Sequence, residues 1–199
     1  MNKQNFKLFP VLVNKYSNFL TPKQVDSIKD YCLQRPTTVH NTIENDGTSN
    51  HSLDSNFIEE LLENVPDCKD LDVKIKNTLD DYADEFGMFT VRLSNSWFNI
   101  QQPGSVLRQH IHPHSIISGA LYISANLNSS KIYFENPNRT VHYFSNFNKP
   151  TEYNFEYFNF QPEAGSLILF PSWLFHGSNN TENFSSNRIV ISFNTIAEG

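Results

Sequence analysis

Two histidines spaced two residues apart are the sharpest chemical feature of the sequence. His110 and His112 end the segment Gly-Ser-Val-Leu-Arg-Gln-His-Ile-His, which begins with a glycine turn at Gly104. Alternate residues of a β-strand point to the same face, so the two imidazoles are predicted to lie side by side while Ile111 packs on the opposite face. If that face lines a barrel, both rings can bind one metal ion.

A third histidine follows a different predicted strand. Residues 165–176 read Gly-Ser-Leu-Ile-Leu-Phe-Pro-Ser-Trp-Leu-Phe-His, an apolar run that Pro171 halts five residues before His176. This pattern predicts that His176 lies at the mouth of a barrel rather than in its core. Three imidazoles from two distant strands would form a facial triad with coordination positions open for substrate and oxygen, and imidazole suits Fe, Cu, Ni and Zn alike.

The other histidines lack partners at ligand spacing. His114 lies beyond Pro113 and is at best a residue that supports a metal ligand, or else a loop residue. His40, His51 and His142 are interpreted as surface or loop residues.

The strand predicted after the third histidine carries a cation. Arg188, Val190, Ser192 and Asn194 alternate in Arg-Ile-Val-Ile-Ser-Phe-Asn and would share one face. A guanidinium binds a carboxylate through two parallel hydrogen bonds. Arg188 near a metal therefore indicates a cosubstrate with a carboxylate, to which Ser192 could donate a further hydrogen bond. The competing interpretation, an exposed arginine on an edge strand, loses weight because of the spacing from His176.

Composition favours a β-rich protein that does not bind nucleic acid. The 199 residues include 17 Phe and 8 Tyr and carry a formal net charge of −6. Aromatic residues are enriched in strands, and the basic stripe that usually marks a nucleic-acid-binding surface is missing. The N-terminal residues lack the apolar stretch of a signal peptide, no apolar run approaches the roughly 20 residues of a membrane span, and Cys32 and Cys68 are interpreted as reduced thiols. We therefore expect a cytoplasmic protein.

The first 87 residues are predicted to provide an edge strand and helical support. The strand is placed at residues 6–13, at an edge because Pro10 cannot donate to a central ladder. Residues 37–53 are polar and predicted to be irregular. Capping residues, apolar spacing and stop signals predict three helices: from the cap Thr21 to about Gln34, from the cap Asp54-Ser55 to Asn64, and over about 69–86 before Gly87.

After Gly87, short apolar or aromatic runs alternate with turn signals. They predict strands at 88–102, 106–112, 117–124, 131–135, 140–145, 153–160, 166–171 and 187–196. Such a series is typical of a sandwich or barrel. The sequence therefore predicts one domain over 1–199, mainly β with N-terminal helices (α+β), in which about 1–87 buttress a barrel formed by about 88–199.

The run from Trp97 through Asn194 resembles the 2-oxoglutarate/Fe(II) oxygenases of bacteria and phages, which are distant prolyl-hydroxylase-like members of the cupin superfamily. The matching stretches are SWFNIQQPGSVLRQHIHPHSIISGALYIS, KIYFENPNR, PEAGSLILFPSWLFHGSNN and NRIVISFN. They cover about the C-terminal half of the chain. The resemblance implies a double-stranded β-helix (jelly roll) that binds Fe(II) and 2-oxoglutarate and acts as a dioxygenase, a hydroxylase of unknown prime substrate.

The same resemblance assigns roles by position. His110 would be the first metal ligand and His176 the distal one, while Arg188 would hold the far carboxylate of 2-oxoglutarate with help from Ser192. Tyr122, in Gly-Ala-Leu-Tyr-Ile-Ser, falls where relatives place a tyrosine that contacts that carboxylate. A packed core aromatic is the alternative for Tyr122.

The second ligand departs from the common His-x-Asp/Glu motif, because His112 occupies the carboxylate position. Imidazole does not neutralise Fe(II), so three neutral ligands would leave the site more positive, which could tighten 2-oxoglutarate binding. Glu135, on the predicted strand Ile-Tyr-Phe-Glu, is the alternative ligand if His112 does not bind. The predicted metal-binding and catalytic set is His110, His112 and His176.

Two other functions fit the same residues. The spacings Gly-x5-His-x-His and Gly-x5-Pro-x4-His-x3-Asn also resemble cupin motifs, which leaves open a three-histidine cupin dioxygenase or isomerase that does not use 2-oxoglutarate. A metal-free binding barrel is the other alternative. The prime substrate is a small molecule or a peptidyl group, with a prolyl residue, free amino acid, sugar or nucleobase all open, and a homodimer through edge strands is compatible with the predicted architecture.

Overall fold

Antiparallel strands pair into sheets in a computed structural model of the chain, and three helices lie in its N-terminal half. The structure describes residues 3–5, 7–51, 55–138 and 147–198. In chain order its strands are β1 (Asn14–Tyr16), β2 (Thr38–Val39), β3 (Ile43–Glu44), β4 (Gly47–Ser49), β5 (Val91–Gln101), β6 (Val106–Leu107), β7 (Ile117–Ser124), β8 (Ile132–Glu135), β9 (Tyr157–Phe160), β10 (Leu167–Pro171), β11 (His176–Gly177) and β12 (Arg188–Ala197). The helices are α1 (Pro22–Gln34), α2 (Phe57–Asn64) and α3 (Leu71–Phe86), and a short 3-10 helix covers Pro66–Cys68.

Two sheets enclose the interior of the β-region. Among the described residues, a seven-stranded sheet has the order β1-β10-β7-β12-β5-β4-β2, and a three-stranded sheet has the order β11-β8-β9. Strands β3 and β6 form a separate pair. Because β12 pairs with both β5 and β7, it lies at the centre of the large sheet and carries its side chains into two different layers.

The large sheet has a helix-covered face and a face toward the small sheet. On the first, alternate residues such as Leu121, Leu169 and Ile191 pack with the three helices in the larger buried apolar cluster. On the second, Tyr122 and Phe170 join residues of β8 in a smaller cluster. The period-two alternation read from the sequence therefore separates a helix-side core from an interior between the two sheets. The predicted mainly β architecture with N-terminal helices is confirmed.

The helix ends follow the predicted signals in most places. Thr21 caps α1 as expected, and it does so in a capping box: it accepts a hydrogen bond from the amide of Gln24, whose side-chain oxygen accepts one from the Thr21 amide. Gly87, with φ of 75°, ends α3. The predicted cap of α2 is wrong, because the residue before that helix is Asn56, whose side-chain oxygen accepts from Ser96 instead of capping. Asp54 lies outside the described residues.

Two N-terminal predictions are wrong. The strand expected at 6–13 begins only at Asn14, because Phe9 adopts a left-handed backbone with φ of 60° that interrupts any extended run, and residue 6 lies outside the described part. The segment expected to be irregular, 37–53, contains β2, β3 and β4, and β4 pairs with β5 in the large sheet. The strand predicted at 140–145 lies outside the described residues. Cys32 and Cys68 are buried free thiols, as expected.

Candidate metal centre and carboxylate site

Three imidazoles meet between the two sheets. His110 and His176 form an isolated antiparallel bridge in which each backbone amide donates to the other residue's carbonyl, at 2.9 and 3.1 Å. The ring centroids of His110 and His176 are 4.3 Å apart, and the ring of His112 lies 5.1 Å from the first and 5.0 Å from the second. One nitrogen from each ring lies within 4.8 Å of the other two. The three residues predicted as ligands are therefore brought together.

The neighbourhood of His176 depends on a glycine. A side chain at Gly177 would place its Cβ 3.0 Å from the carbonyl oxygen of Leu107 and 3.1 Å from the amide nitrogen of Gln109. The glycine thus lets the strand that carries His176 run close beside the segment that carries His110. The predicted position of His176 at the barrel mouth is wrong, since it is only 4% exposed and its ring packs against Phe170, with centroids 4.6 Å apart.

Each imidazole uses one ring nitrogen, Nδ1, in a hydrogen bond within the protein. The Nδ1 atoms of His110 and His176 lie 2.8 Å from the carbonyl oxygens of Arg108 and Leu174, and Nδ1 of His112 contacts the side-chain oxygen of Asn194. These oxygens only accept, so Nδ1 carries the proton and the Nε2 lone pair is left free. The Nε2 atoms of His110 and His112 are 3.2 Å apart. Two lone pairs at this distance repel each other unless a cation lies between them.

The protonation state also suits a metal. Burial lowers the pKa of His110, and burial with repulsion from His110 lowers the pKa of His112 to about 4. Burial, followed by repulsion from His110 and His112, lowers the pKa of His176 well below its usual value. All three rings are therefore neutral at physiological pH, which is the form that binds a metal.

A chain of hydroxyl groups supports His112 through Asn194. Asn194 Oδ1 also accepts from Ser118, at 2.9 Å, and the Ser118 hydroxyl lies 2.8 Å from that of Ser172. The Ser172 hydroxyl also lies 2.9 Å from that of Ser115. This buried network fixes the Asn194 amide, and through it the orientation of the His112 ring.

Arg188 is a buried cation in the same cavity. It is 3% exposed, its Nη1 donates to the side-chain oxygen of Gln101, and its guanidinium lies 5.5 Å from the centroid of the Tyr122 ring. Its Nε has no hydrogen-bond partner, and no carboxylate within the described residues forms an ion pair with it. Burial lowers the pKa of Arg188, and a buried charge without a counter-ion is costly. This site is suited to an anionic ligand.

The predicted helpers of Arg188 line the same space. Tyr122 is fully buried, and burial raises the pKa of its hydroxyl against the opposing effect of Arg188, so the phenol stays protonated. Ser192 pairs with Trp97 across the sheet and also lines the cavity. The amide nitrogen of Gln101 and the amide oxygen of Asn99 are buried without partners in the described part of the chain. Sequence reasoning missed both amides, although their alternation with Trp97 on β5 could have indicated them.

One cavity of about 330 Å³ connects the histidines with Arg188. Its lining includes all six predicted site residues, namely His110, His112, His176, Arg188, Ser192 and Tyr122. Of the described residues that line it, only Arg188 carries a formal charge at neutral pH, and none is Asp or Glu. A metal site and a carboxylate site therefore share one largely uncharged chamber.

Other sequence interpretations are corrected by the geometry. Glu135 is outside the cavity, because alternation along β8 puts it on the face opposite Phe134, where it accepts from Gln109. His40 and His51, interpreted as surface or loop residues without a site, line the cavity beside the three ligand candidates. His114 is an exposed loop residue, as expected, and His142 lies outside the described residues.

A sequence model of a known family matches the part of the chain that carries these residues. Residues 95–194 match the family described as "Putative 2OG-Fe(II) oxygenase". A search of curated proteins finds no match.

Solved structures share the fold at low sequence identity. A Pseudomonas putida prolyl-4-hydroxylase is 13% identical with a TM-score of 0.59, covering 94% of this chain and 93% of its own. HygX from Streptomyces hygroscopicus, solved with nickel and 2-oxoglutarate bound, is 11% identical with a TM-score of 0.62, covering 93% and 82%. The viral collagen prolyl hydroxylase of Paramecium Bursaria Chlorella virus-1, solved as a 2OG complex, is 12% identical with a TM-score of 0.54, covering 94% and 96%. These likenesses confirm the predicted jelly-roll fold.

Proposed function

The chain belongs to the 2OG-Fe(II) oxygenase family, and on that premise we propose that His110, His112 and His176 hold Fe(II) while Arg188 binds the far carboxylate of 2-oxoglutarate. The activity is that of a 2-oxoglutarate- and Fe(II)-dependent dioxygenase, with hydroxylation of a prime substrate as the proposed outcome. Ser192 and Tyr122 complete the proposed cosubstrate site.

One observation carries this assignment: free imidazole nitrogens share one cavity with a buried arginine that has no counter-ion among the described residues. Fe(II) accepts imidazole ligands, so His110, His112 and His176 would hold it and would leave part of its coordination to a 2-oxo acid. The unpartnered Nε of Arg188 and its guanidinium fork suit a carboxylate. Both ends of 2-oxoglutarate thus find the chemistry they require.

Bound Fe(II) and 2-oxoglutarate together supply the oxidising chemistry, in which oxygen is reduced as the 2-oxo acid is decarboxylated to succinate. The chain's own residues orient and shield these groups. Asn194 holds His112 with its Nε2 toward the cavity, and the apolar walls around Phe170 and Val190 limit the access of water. Tyr122, as a neutral phenol beside Arg188, keeps the carboxylate site free of a second negative charge.

The histidine in place of the usual carboxylate is compatible with this function. Three neutral ligands leave the full charge of Fe(II) at the site, and with Arg188 the cavity favours a dianion such as 2-oxoglutarate. The cupin dioxygenase or isomerase that does not use 2-oxoglutarate is not favoured, because it gives no role to the buried Arg188 and because the matched family is that of the 2OG-Fe(II) oxygenases.

The decisive experiment is an anaerobic titration of the full chain with Fe(II) and then 2-oxoglutarate, followed by the charge-transfer absorption of an Fe(II)-bound 2-oxo acid. We expect a saturable band in the unsubstituted chain and none in His176→Ala. Arg188→Met should weaken 2-oxoglutarate binding by at least about thirtyfold, because it removes one partner of a buried charge pair. Arg92→Met, at an exposed position of β5, is the matched control and should bind normally.

Succinate release in air provides the second measurement. It should depend on added Fe(II) and vanish in His176→Ala. If Arg188→Met bound 2-oxoglutarate as tightly as the unsubstituted chain, the carboxylate assignment would be wrong and the cupin alternative would return.

Partners, location and domain organisation complete the proposal. The family implies a small-molecule or peptide substrate, and no described helix is long and apolar enough to cross a membrane. We propose a cytoplasmic protein that does not bind nucleic acid, on the basis of its net charge of −6 and lack of a basic stripe. We also propose a single domain over 1–199, because α1 to α3 share one apolar cluster with the large sheet, and a homodimer through edge strands.

A further inference from the structure

Residues 38–51, which include β2, β3 and β4, form the outer part of the cavity wall, and the proposed function gives this segment no role. Strand β4 pairs with β5, and β2 pairs with β4, so this segment extends the large sheet next to the metal centre. It contributes His40, Thr42 and His51 to the cavity lining. None of the three is a proposed ligand of Fe(II) or 2-oxoglutarate.

Hydrogen bonds hold His51 in place. The Ser49 hydroxyl donates to the carbonyl of Phe98 at 3.0 Å and accepts from the His51 amide at 3.0 Å. Asn50 bonds Phe98 twice, accepting from its amide at 2.7 Å and donating to its carbonyl at 3.2 Å. The backbone at His51 is therefore fixed to β5, and its ring is a positioned part of the wall.

Aromatic rings line the way from this segment to the metal centre. The ring centroids of His40 and His51 are 5.0 Å apart, those of His51 and Trp97 are 4.8 Å apart, and those of Trp97 and His112 are 5.7 Å apart. The first two contacts are edge to face, and the third is stacked. A flat or ring-shaped group entering here would contact aromatic side chains immediately before reaching the proposed iron.

His40 offers a hydrogen-bond donor to this space. Its Nδ1 accepts from the Thr42 backbone amide at 3.3 Å and lies 2.8 Å from the Thr42 hydroxyl. A backbone N–H can only donate, so Nδ1 is unprotonated and the proton resides on Nε2. Burial lowers the pKa of His40, which favours this neutral form. Its Nε2–H has no hydrogen-bond partner among the described residues.

The charge of the lining limits which chemical groups can bind in the part of the cavity next to His40 and His51. The described lining contains Arg188 as its only formal charge, and 2-oxoglutarate would neutralise that residue. An ammonium group would find no carboxylate among the described lining residues, and an anionic group would find no cation on the wall formed by His40, His51 and Trp97, so either group would lose its hydration there without a local partner. An uncharged group that accepts a hydrogen bond meets no such cost.

We propose that His40, His51 and Trp97 form the prime-substrate subsite, and that it takes an uncharged ring-bearing group with a carbonyl or hydroxyl oxygen. The oxygen accepts from Nε2–H of His40, and the ring packs on His51 and Trp97. This inference rests on the proposed function, because it assumes that 2-oxoglutarate occupies the Arg188 end. Blocked peptides and glycosides share the required chemistry, whereas free amino acids and sugar acids lack it.

The test uses the full chain loaded anaerobically with Fe(II) and 2-oxoglutarate. Two matched pairs of probes are titrated: N-acetylproline methylamide against free proline, and methyl glucoside against glucuronate. Binding is read from the perturbation of the charge-transfer band and from calorimetry. We expect an uncharged member of at least one pair to bind, and its charged counterpart to bind about tenfold or more weakly. The pair that responds distinguishes a peptide from a glycoside.

Variants of the wall assign the contacts. His40→Ala should weaken the bound probe by about three- to tenfold, the effect of one lost hydrogen bond. His40→Gln, which keeps an N–H donor at similar reach, should recover most of that loss. His51→Ala should weaken the same probe by about threefold or more through lost ring contact. His114→Asn, in the exposed loop, is the control and should leave probe binding unchanged.

The outcomes separate the inference from its premise. An intact charge-transfer band in every variant, with the expected discrimination between probes, supports the subsite. Three results would overturn the subsite alone, provided that the band is intact. The charged probes bind as tightly as the uncharged ones or more tightly; neither uncharged probe binds; or His40→Ala and His51→Ala have no effect on probe binding. A missing band in the unsubstituted chain overturns the proposed function and removes the basis of the subsite.

Discussion

The two faces of strand β12 carry different kinds of side chains. Its helix-side residues, Ile189, Ile191 and Phe193, are fully buried in the larger apolar cluster. Its cavity-side residues include the buried Arg188 and also Asn194, which bonds a proposed metal ligand. One ten-residue strand thus serves a conventional core on one side and a polar chamber on the other.

The contrast extends to the neighbouring strands. On the helix side, apolar residues of β7 and β10 pack closely around β12. On the cavity side, Gln101, Asn99 and Arg188 each keep a buried polar atom without a partner in the described residues. Unpartnered buried polar atoms lower the free energy of unfolding unless a ligand satisfies them. We conclude that the helix face stabilises the fold and that the cavity face gives up stability for binding.

The largest effect should come from the helix face. Phe193 fills the space above Gly119, where an added Cβ would lie 2.0 Å from the Phe193 ring. Phe193→Ala should lower the free energy of unfolding by about 3–5 kcal/mol, because it leaves a cavity in a packed core. Chemical denaturation measures this loss. Phe193→Leu is the graded control with a smaller loss.

If the two faces are independent, Phe193→Ala should lower the stability of the helix face without changing the binding site on the cavity face. The folded fraction of Phe193→Ala should still bind 2-oxoglutarate, as the charge-transfer titration can show. A loss of 2-oxoglutarate affinity as large as that of Arg188→Met would mean that the two faces are not independent.

On the cavity face, substitution should stabilise the ligand-free protein. The double variant Arg188→Met/Gln101→Leu removes a buried cation that has no counter-ion in the described part of the chain, together with the amide that it contacts. We expect the free energy of unfolding to rise by about 1–3 kcal/mol, since apolar side chains of similar size avoid the desolvation cost. Denaturation without metal or 2-oxoglutarate measures it. A clear fall in stability would contradict the assignment of Arg188 as a residue kept for binding.

A third substitution tests the support of the metal centre. Asn194→Leu removes the acceptor that orients His112, and it should weaken Fe(II) binding by about tenfold. Anaerobic competition with a chelator of known affinity measures the change. Asn194→Asp keeps an acceptor at the same position and should retain most of the affinity. Equal affinity in the leucine variant would show that His112 needs no such support.

Local periodicity explains which parts of the sequence could be interpreted. The alternation of Arg188, Val190, Ser192 and Asn194 predicted one shared face, and the cavity lining confirms it. The same rule, applied to β8, would have excluded Glu135, which alternates with Phe134. Strand β10 and the short run before His176 could also be predicted from the sequence. The burial of His176 could not, because it depends on the pairing of β11 with β8.

The missed residues depend on contacts between distant parts of the chain. Strand β4 is short and polar, and it is held by hydrogen bonds from Ser49 and Asn50 to the backbone of Phe98 rather than by an apolar pattern. No local signal reports such pairing, so His40 and His51 could not be placed beside the metal centre from the sequence. For the same reason, only the structure shows that no described carboxylate is a counter-ion of Arg188.

The smallest expected effect concerns acid. Burial lowers the pKa of His51, and burial followed by repulsion from His51 and His110 lowers that of His40. A histidine with a depressed pKa in the folded state binds fewer protons there than when unfolded, so its contribution to stability is present above the unfolded pKa of about 6.5 and is lost as the pH falls toward the folded value. The ligand-free protein should therefore unfold more readily at pH 5 than at pH 7.

His51→Phe, which keeps an aromatic ring without a titratable nitrogen, should lose less stability over that interval than the unsubstituted chain. Thermal denaturation at matched ionic strength measures the difference, and His114→Asn, at an exposed position, is the control. Identical pH dependence in His51→Phe and the unsubstituted chain would show that the outer wall of the cavity does not contribute to the acid sensitivity of the cavity face.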